Sequence, residues 1–271
     1  MPVEKDPSGR RSVSAEVEVA AAPEEVWEAI ATGPGISAWF VPSEVDGQVG
    51  GTTVSHFGPD DSMDAVAEIT EWEAPHRYVA ESEQEGLGTV ATEWLVEAKG
   101  GGSCVVRVVH SWAADGDDWD AEFEGHAGGW LSFFKILRLY LEHFSGQPST
   151  LVQVAARSEG ANDEVWERLA GPLGLLDVEE GQRITSADDA PELEGVVHEA
   201  EYTPDGCSAI VRLEEPVLGL AHLIGFPMGG PIYLSVRFYL YGEEAASQAG
   251  PMESRWQAWL TERFPMQEVG S

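Results

Sequence analysis

Four histidines in the first half of this 271-residue chain, His56, His76, His110 and His126, are the side chains best suited to move a proton near neutral pH. A general acid or base needs a carboxylate or an arginine beside it inside a closed cavity. His110 has the best surroundings, with Arg107 on the same predicted strand and Glu93 on the neighbouring one. Strand alternation sends Arg107 and His110 to opposite faces, so His110 reads as a structural polar group rather than a catalyst. His76 follows Pro75 in a turn and is expected to face solvent. No Gly-x-Ser-x-Gly elbow occurs, and no catalytic residue is assigned. Cys104 and Cys207 stand far apart in no metal-ligand spacing, so two buried thiols are expected, with no disulfide, no metal and no cofactor.

Two other motifs carry little chemistry. Gly225 to Gly230 is glycine-rich but lacks the lysine of a phosphate loop, and reads as a turn between strands. Asp115-Gly116-Asp117-Asp118 does not fit a calcium loop and reads as an acidic loop over one end of a cavity, with Trp112 and Trp119 flanking it as a lid.

The elements that position these groups begin with a long helix over about 124–144. Trp130, Phe133, Phe134, Leu137, Leu141 and Phe144 share one arc at 100° per residue, opposite Lys135, Arg138 and Glu142. Ile136 and Leu139 widen the apolar surface beyond a single stripe. Ahead of this helix, strands are expected over 52–57, 64–72, 77–83, 89–97 and 103–112, with Lys99-Gly100-Gly101-Gly102 as a hairpin turn. An alternating strand over 13–19, a helix opening at Pro23 and a short helix or turn over 36–40 precede them. The pattern is α+β: a curved antiparallel sheet around one long terminal helix.

The string Glu-Val-Trp-Glu occurs twice, around Trp27 and again around Trp166, and implies one fold written twice. Each copy follows a strand-like run and has helix-start chemistry, with Asn162 expected to cap the second helix. Each half ends in a tryptophan-bearing helical segment, 130–144 and 256–264. Domains are expected over 12–146 and 151–266, joined by the short linker 145–150. A net charge of −33, from 15 basic and 48 acidic residues, argues against nucleic acid or an anionic membrane as partner. No run of eighteen apolar residues occurs and the amino terminus is charged, so a soluble cytoplasmic protein is expected.

The ordered set Ala22-Pro23-Glu24-Glu25-Val26-Trp27, Trp39-Phe40-Val41-Pro42, Gly50-Gly51, Pro75-His76-Arg77, Thr89 to Glu93, Gly102 to His110-Ser111 and Gly129-Trp130 resembles the SRPBCC, or START-like, superfamily. Within it, the set is most similar to the branch named after the carboxy-terminal domain of the heat-shock protein 90 ATPase activator. The second half resembles a divergent member that lacks the Gly-Gly turn and the tryptophan after its first helix. The resemblance implies two tandem helix-grip domains, each a sheet holding its carboxy-terminal helix around an apolar cavity. It further implies a hydrophobic small molecule as ligand in the first cavity, without catalysis. Trp39, Trp94, His110, Trp130, Phe133, Phe134, Leu137 and Leu141 are the candidate cavity residues. A polyketide cyclase or hydrolase and a protein-interaction module are the alternatives. The branch name implies a chaperone partner, but the separate amino-terminal domain used by the eukaryotic activator is not read in this chain.

Overall fold

The structure, a computed structural model, describes residues 3–6, 9–58, 60–84, 88–112, 120–203, 206–228 and 230–265, with backbone alone over 120–128. The chain divides into two compact units, Met1–Gly146 and Gln147–Ser271.

In the first unit β1 (Glu4–Lys5) and β2 (Arg11–Val19) lead into α1 (Pro23–Ala31) and α2 (Gly33–Ser37). Six strands follow, β3 (Ser43–Val45), β4 (Thr52–His56), β5 (Asp64–Glu73), β6 (Arg77–Gln84), β7 (Gly88–Ala98) and β8 (Cys104–Trp112), before α3 (Asp120–His143). All pair antiparallel in one sheet ordered β1-β2-β8-β7-β6-β5-β4-β3. The alternation of β2 buries Val13, Ala15 and Val19 and exposes Ser14, Glu16 and Glu18, which fixes its inner face. Helix α1 starts where Pro23 supplies the first helical residue and the Glu25 carboxylate accepts the Ala22 N–H at 3.0 Å. It buries Val26, Trp27, Ala29 and Ile30.

The second unit repeats the circuit with fewer strands: β9 (Ser149–Ser158), α4 (Asn162–Ala170), a 3-10 turn (Gly171–Leu173), β10 (Arg183–Thr185), β11 (Glu194–Thr203), β12 (Gly206–Glu215), β13 (Gly219–Pro227), β14 (Ile232–Tyr241) and α5 (Ala245–Arg263). Its sheet order is β10-β11-β12-β13-β14-β9. In both units the first long strand inserts beside the last one, β2 on β8 and β9 on β14. Counting outward from there matches β7 with β13, β6 with β12 and β5 with β11. Matching strands also carry bulges, between Ile69 and Glu71 in β5 and between Val197 and Glu199 in β11, where an extra residue bends the strand and curls the sheet. Both units are α+β helix grips: α3 lays Phe134 against Trp94 of β7, and α5 lays Trp256 against Phe238 of β14 at 4.8 Å.

Three expectations need correction. Asn162 does not cap α4, whose N-cap is Ala161; the Asn162 amide instead donates to the Thr203 carbonyl at 3.2 Å, tying the helix to the β11–β12 turn. Helix α5 begins at Ala245 rather than Trp256, with Pro251 inside it. Gly225, Phe226 and Pro227 belong to β13 rather than to a turn. A Cβ on Gly225 would stand 3.0 Å from Leu234 Cδ2 and 3.5 Å from Trp166 Cε3, so the missing side chain lets Trp166 sit against the sheet. Among the described residues, no helix is long and apolar enough to cross a membrane.

Candidate functional site

Between α3 and the sheet of the first unit lies an aromatic cluster built from four elements. Helix α2 leads into Trp39 and Phe40, β7 supplies Trp94, β8 supplies His110, and α3 supplies Trp130, Phe133 and Phe134. Trp39 sits at the centre, fully buried, with its indole N–H donated to the Ala29 carbonyl at 2.8 Å. Its ring meets Trp94 at 6.1 Å, Trp130 at 6.3 Å and Phe134 at 6.3 Å between centroids. Phe40 stacks on Trp130 at 4.7 Å and meets Phe133 edge-on at 4.6 Å. At these separations the rings touch, so they fill the space between helix and sheet. Leu137 and Leu141 continue the stripe along α3 and are buried, as are Ile136 and Leu139 beside it.

His110 is the polar member of this cluster. Its Nε2 accepts the Trp130 indole N–H at 2.6 Å, and its Nδ1 stands 3.0 Å from the Thr92 hydroxyl. An indole nitrogen only donates, so the neutral ring consistent with both contacts carries its proton on Nδ1 and gives it to Thr92. Thr92 is the register partner of His110 across β7 and β8 and shares its face. Arg107 and Glu93 lie on the other face: Arg107 pairs with Glu16 at 2.8 Å, and Glu93 pairs with Arg77. The geometry therefore separates His110 from the arginine and the carboxylate that made it the leading acid–base candidate.

The other polar candidates stand elsewhere. His56 Nδ1 meets Asp64 Oδ1 at 2.8 Å, and alternation turns it away from Phe57. His76 is exposed in the β5–β6 turn. Trp112 is buried within β8 rather than poised on a loop, while the side chain of His126 and residues Asp115 to Trp119 lie outside the described residues. Burial pushes both thiols up from their ordinary value, with Glu24 adding to the effect at Cys104 and the Asn162 hydrogen bond partly offsetting it at Cys207. Among the described residues, no three His, Cys, Asp or Glu side chains are grouped to hold a metal ion.

Sequence reading missed several contributors. Phe40 extends the cluster to Phe57, which is 47% exposed and touches it edge-on at 5.7 Å. Trp72 and Tyr78 form a second aromatic group against Trp27, at 5.0 and 5.9 Å, and the buried Tyr78 hydroxyl donates to the Ile30 carbonyl at 3.0 Å. Burial raises the Tyr78 phenol far above its ordinary range. The signal for Thr92 was available, since alternation places it two residues before Trp94 on one strand face.

Comparison with known proteins adds a family for the first unit. Residues 10–144 match the family model described as "Polyketide cyclase / dehydrase and lipid transport". Among solved structures, the di-domain ARO/CYC protein BexL from the BE-7585A biosynthetic pathway is 14% identical, with 95% of this chain and 100% of that chain covered at a TM-score of 0.45. DynU16, a protein of the dynemicin biosynthetic locus, is 18% identical, with 92% and 96% covered at 0.42. The Aha1 dimer from Colwellia psychrerythraea is 19% identical, with 50% of this chain and 98% of that chain covered at 0.41. No curated protein matches the chain.

Proposed function

We propose, residues 10–144 belonging to the SRPBCC superfamily, that the first unit retains a hydrophobic small molecule between α3 and its sheet, without turning it over. One observation carries this reading: Trp39, Phe40, Trp94, Trp130, Phe133 and Phe134 pack on one another between α3 and the sheet, with His110 as a polar contact among them. A flat apolar molecule gains most there, because it can exchange stacking on one ring for stacking on another. Phe57 and Phe133 are the rings to move, since Phe57 is half exposed and Phe133 only partly buried. Retention rather than turnover is favoured because both ring nitrogens of His110 are already engaged, by Trp130 and by Thr92.

A second reading, an enzyme of the cyclase or dehydrase kind, draws on the same imidazole and on the description of the matching family. In it, a ligand would displace the Trp130 N–H and free His110 Nε2 to take a proton.

Native mass spectrometry of the full chain purified from its own host distinguishes these readings. A retained apolar molecule, lost on Trp130→Ala and kept on His110→Gln, is the expected result. Protein that carries no ligand and takes up no polycyclic aromatic probe overturns the reading. Turnover of a bound molecule that His110→Gln abolishes would establish the enzyme instead.

A further inference from the structure

The second unit holds a cleft of about 440 Å³ between the first two turns of α4, the segment 175–178 and the adjoining ends of β11 and β12. Trp166, Leu175, Val178 and Tyr202 are among its walls. The hairpin beside it differs between the two copies. In the first unit the register pair next to the last before the β5–β6 turn is Trp72 with Tyr78, and both rings pack against Trp27. The corresponding pair before the β11–β12 turn is Tyr202 with Cys207. A thiol stands where the first unit has a phenol ring, and Tyr202 is 55% exposed rather than folded onto the helix tryptophan. Asn162 donates to both Thr203 O and Cys207 Sγ, at 3.2 and 3.4 Å, and pins the hairpin to α4.

Charge selects what such a space would hold. Asp163, Glu167, Asp177 and Glu201 also line the cleft, and none of its lining side chains is basic. Asp163 and Tyr202 line the cleft together, and the Tyr202 hydroxyl is pushed up from its ordinary value, first by desolvation and then by Asp163 and Cys207. Aromatic faces beside carboxylates attract an organic cation twice, through the ring quadrupole and through charge. The volume falls in the ordinary range for small-ligand sites, about 300–1,000 Å³. An acidic surface alone would be unremarkable on a chain of net charge −33. A cleft with Trp166 and Tyr202 in its walls separates this place from that background.

We propose that the cleft is a binding site for a small organic cation, an ammonium group borne on an apolar or aromatic body. This site is separate from the one proposed in the first unit, and it stands or falls on its own test.

The probe is benzyltrimethylammonium, titrated into the full chain by calorimetry, with benzyl alcohol and phenylacetate as neutral and anionic counterparts. The cation is expected to bind about tenfold more tightly than the alcohol, with phenylacetate weakest. The double substitution Asp177→Asn with Glu201→Gln should remove about tenfold of the cation's affinity and leave the alcohol unchanged. Tyr202→Ala, which removes the exposed ring from the cleft wall, should weaken binding of both. Should that variant fail to fold by circular dichroism, the double substitution decides alone. Equal affinities for the three probes, or cation binding that the double substitution leaves intact, overturn the proposal. Cation binding that Trp130→Ala removes and Tyr202→Ala spares overturns it as well.

Discussion

Trp27 and Trp166 occupy the same place in the same four-residue string, yet their surroundings differ. Around Trp27 the β5–β6 hairpin folds Trp72 and Tyr78 into a three-ring cluster. Around Trp166 the β11–β12 hairpin offers a thiol and an outward tyrosine, and a cleft opens. The duplicated helix anchors both grips in the same way, by burying its tryptophan against the inner face of the sheet. The residues that meet the two tryptophans from across the hairpin differ, and they have no counterpart in the repeated string.

Exchanging the hairpin residues breaks this comparison most directly. Tyr78→Cys in the first unit should cost about 3–5 kcal/mol in chemical denaturation, because it removes a buried ring that Trp27 and Trp72 pack against. It also leaves the Ile30 carbonyl without the phenol donor. A cost below about 1 kcal/mol would mean that this cluster is not what closes the first unit around Trp27.

Truncating the two anchors gives a smaller, differential effect. Trp27→Ala should destabilise its unit by about 1 kcal/mol more than Trp166→Ala does its own, the increment expected of edge-to-face ring contacts. Equal costs would show that burial alone, and not the second aromatic group, sets the difference between the copies.

Thr92→Val tests the polar end of the aromatic site. It removes the hydroxyl that His110 Nδ1 meets, at a cost of about 1 kcal/mol in thermal or chemical unfolding. The Trp130 indole proton, followed by NMR, should shift with it if the imidazole tautomer is held as described.

The smallest effect is expected at two ion clusters, one in each unit, that do not occupy matching strands. Arg77 lies between Glu71 and Glu93, and Arg183 lies between Glu194 and Glu214, both near solvent. Arg77→Gln should cost less than about 1 kcal/mol and Arg183→Gln, at a fully solvated pair, should leave stability almost unchanged, with added salt shrinking either loss further. A larger loss from either would mark that cluster as a structural clamp.

Much of the fold was legible in the chain because periodicity reports burial one element at a time. The alternation in β2 and the apolar arc of α3 each mark their own buried face. The start of α5 was not legible: glycine and proline disfavour a helix interior, yet the helix runs through Gly250 and Pro251, held by Met252, Trp256 and Leu260 in the core. Asn162 misled for a related reason, since a residue suited to capping was used to hold a turn 41 residues away.

By itself the sequence determined that two copies of one fold exist, that each is anchored by a tryptophan helix, and that the first carries an aromatic terminal helix. These features are local, and spacing along one segment is enough to reveal them. Only the tertiary structure decided that His110 faces Thr92 and Trp130 rather than Arg107 or Glu93. The tertiary structure also set Cys207 opposite Tyr202 where the first copy sets Tyr78 opposite Trp72. Those pairings depend on strand register and sheet order, and a one-residue slip in register would reverse every face on which they rest.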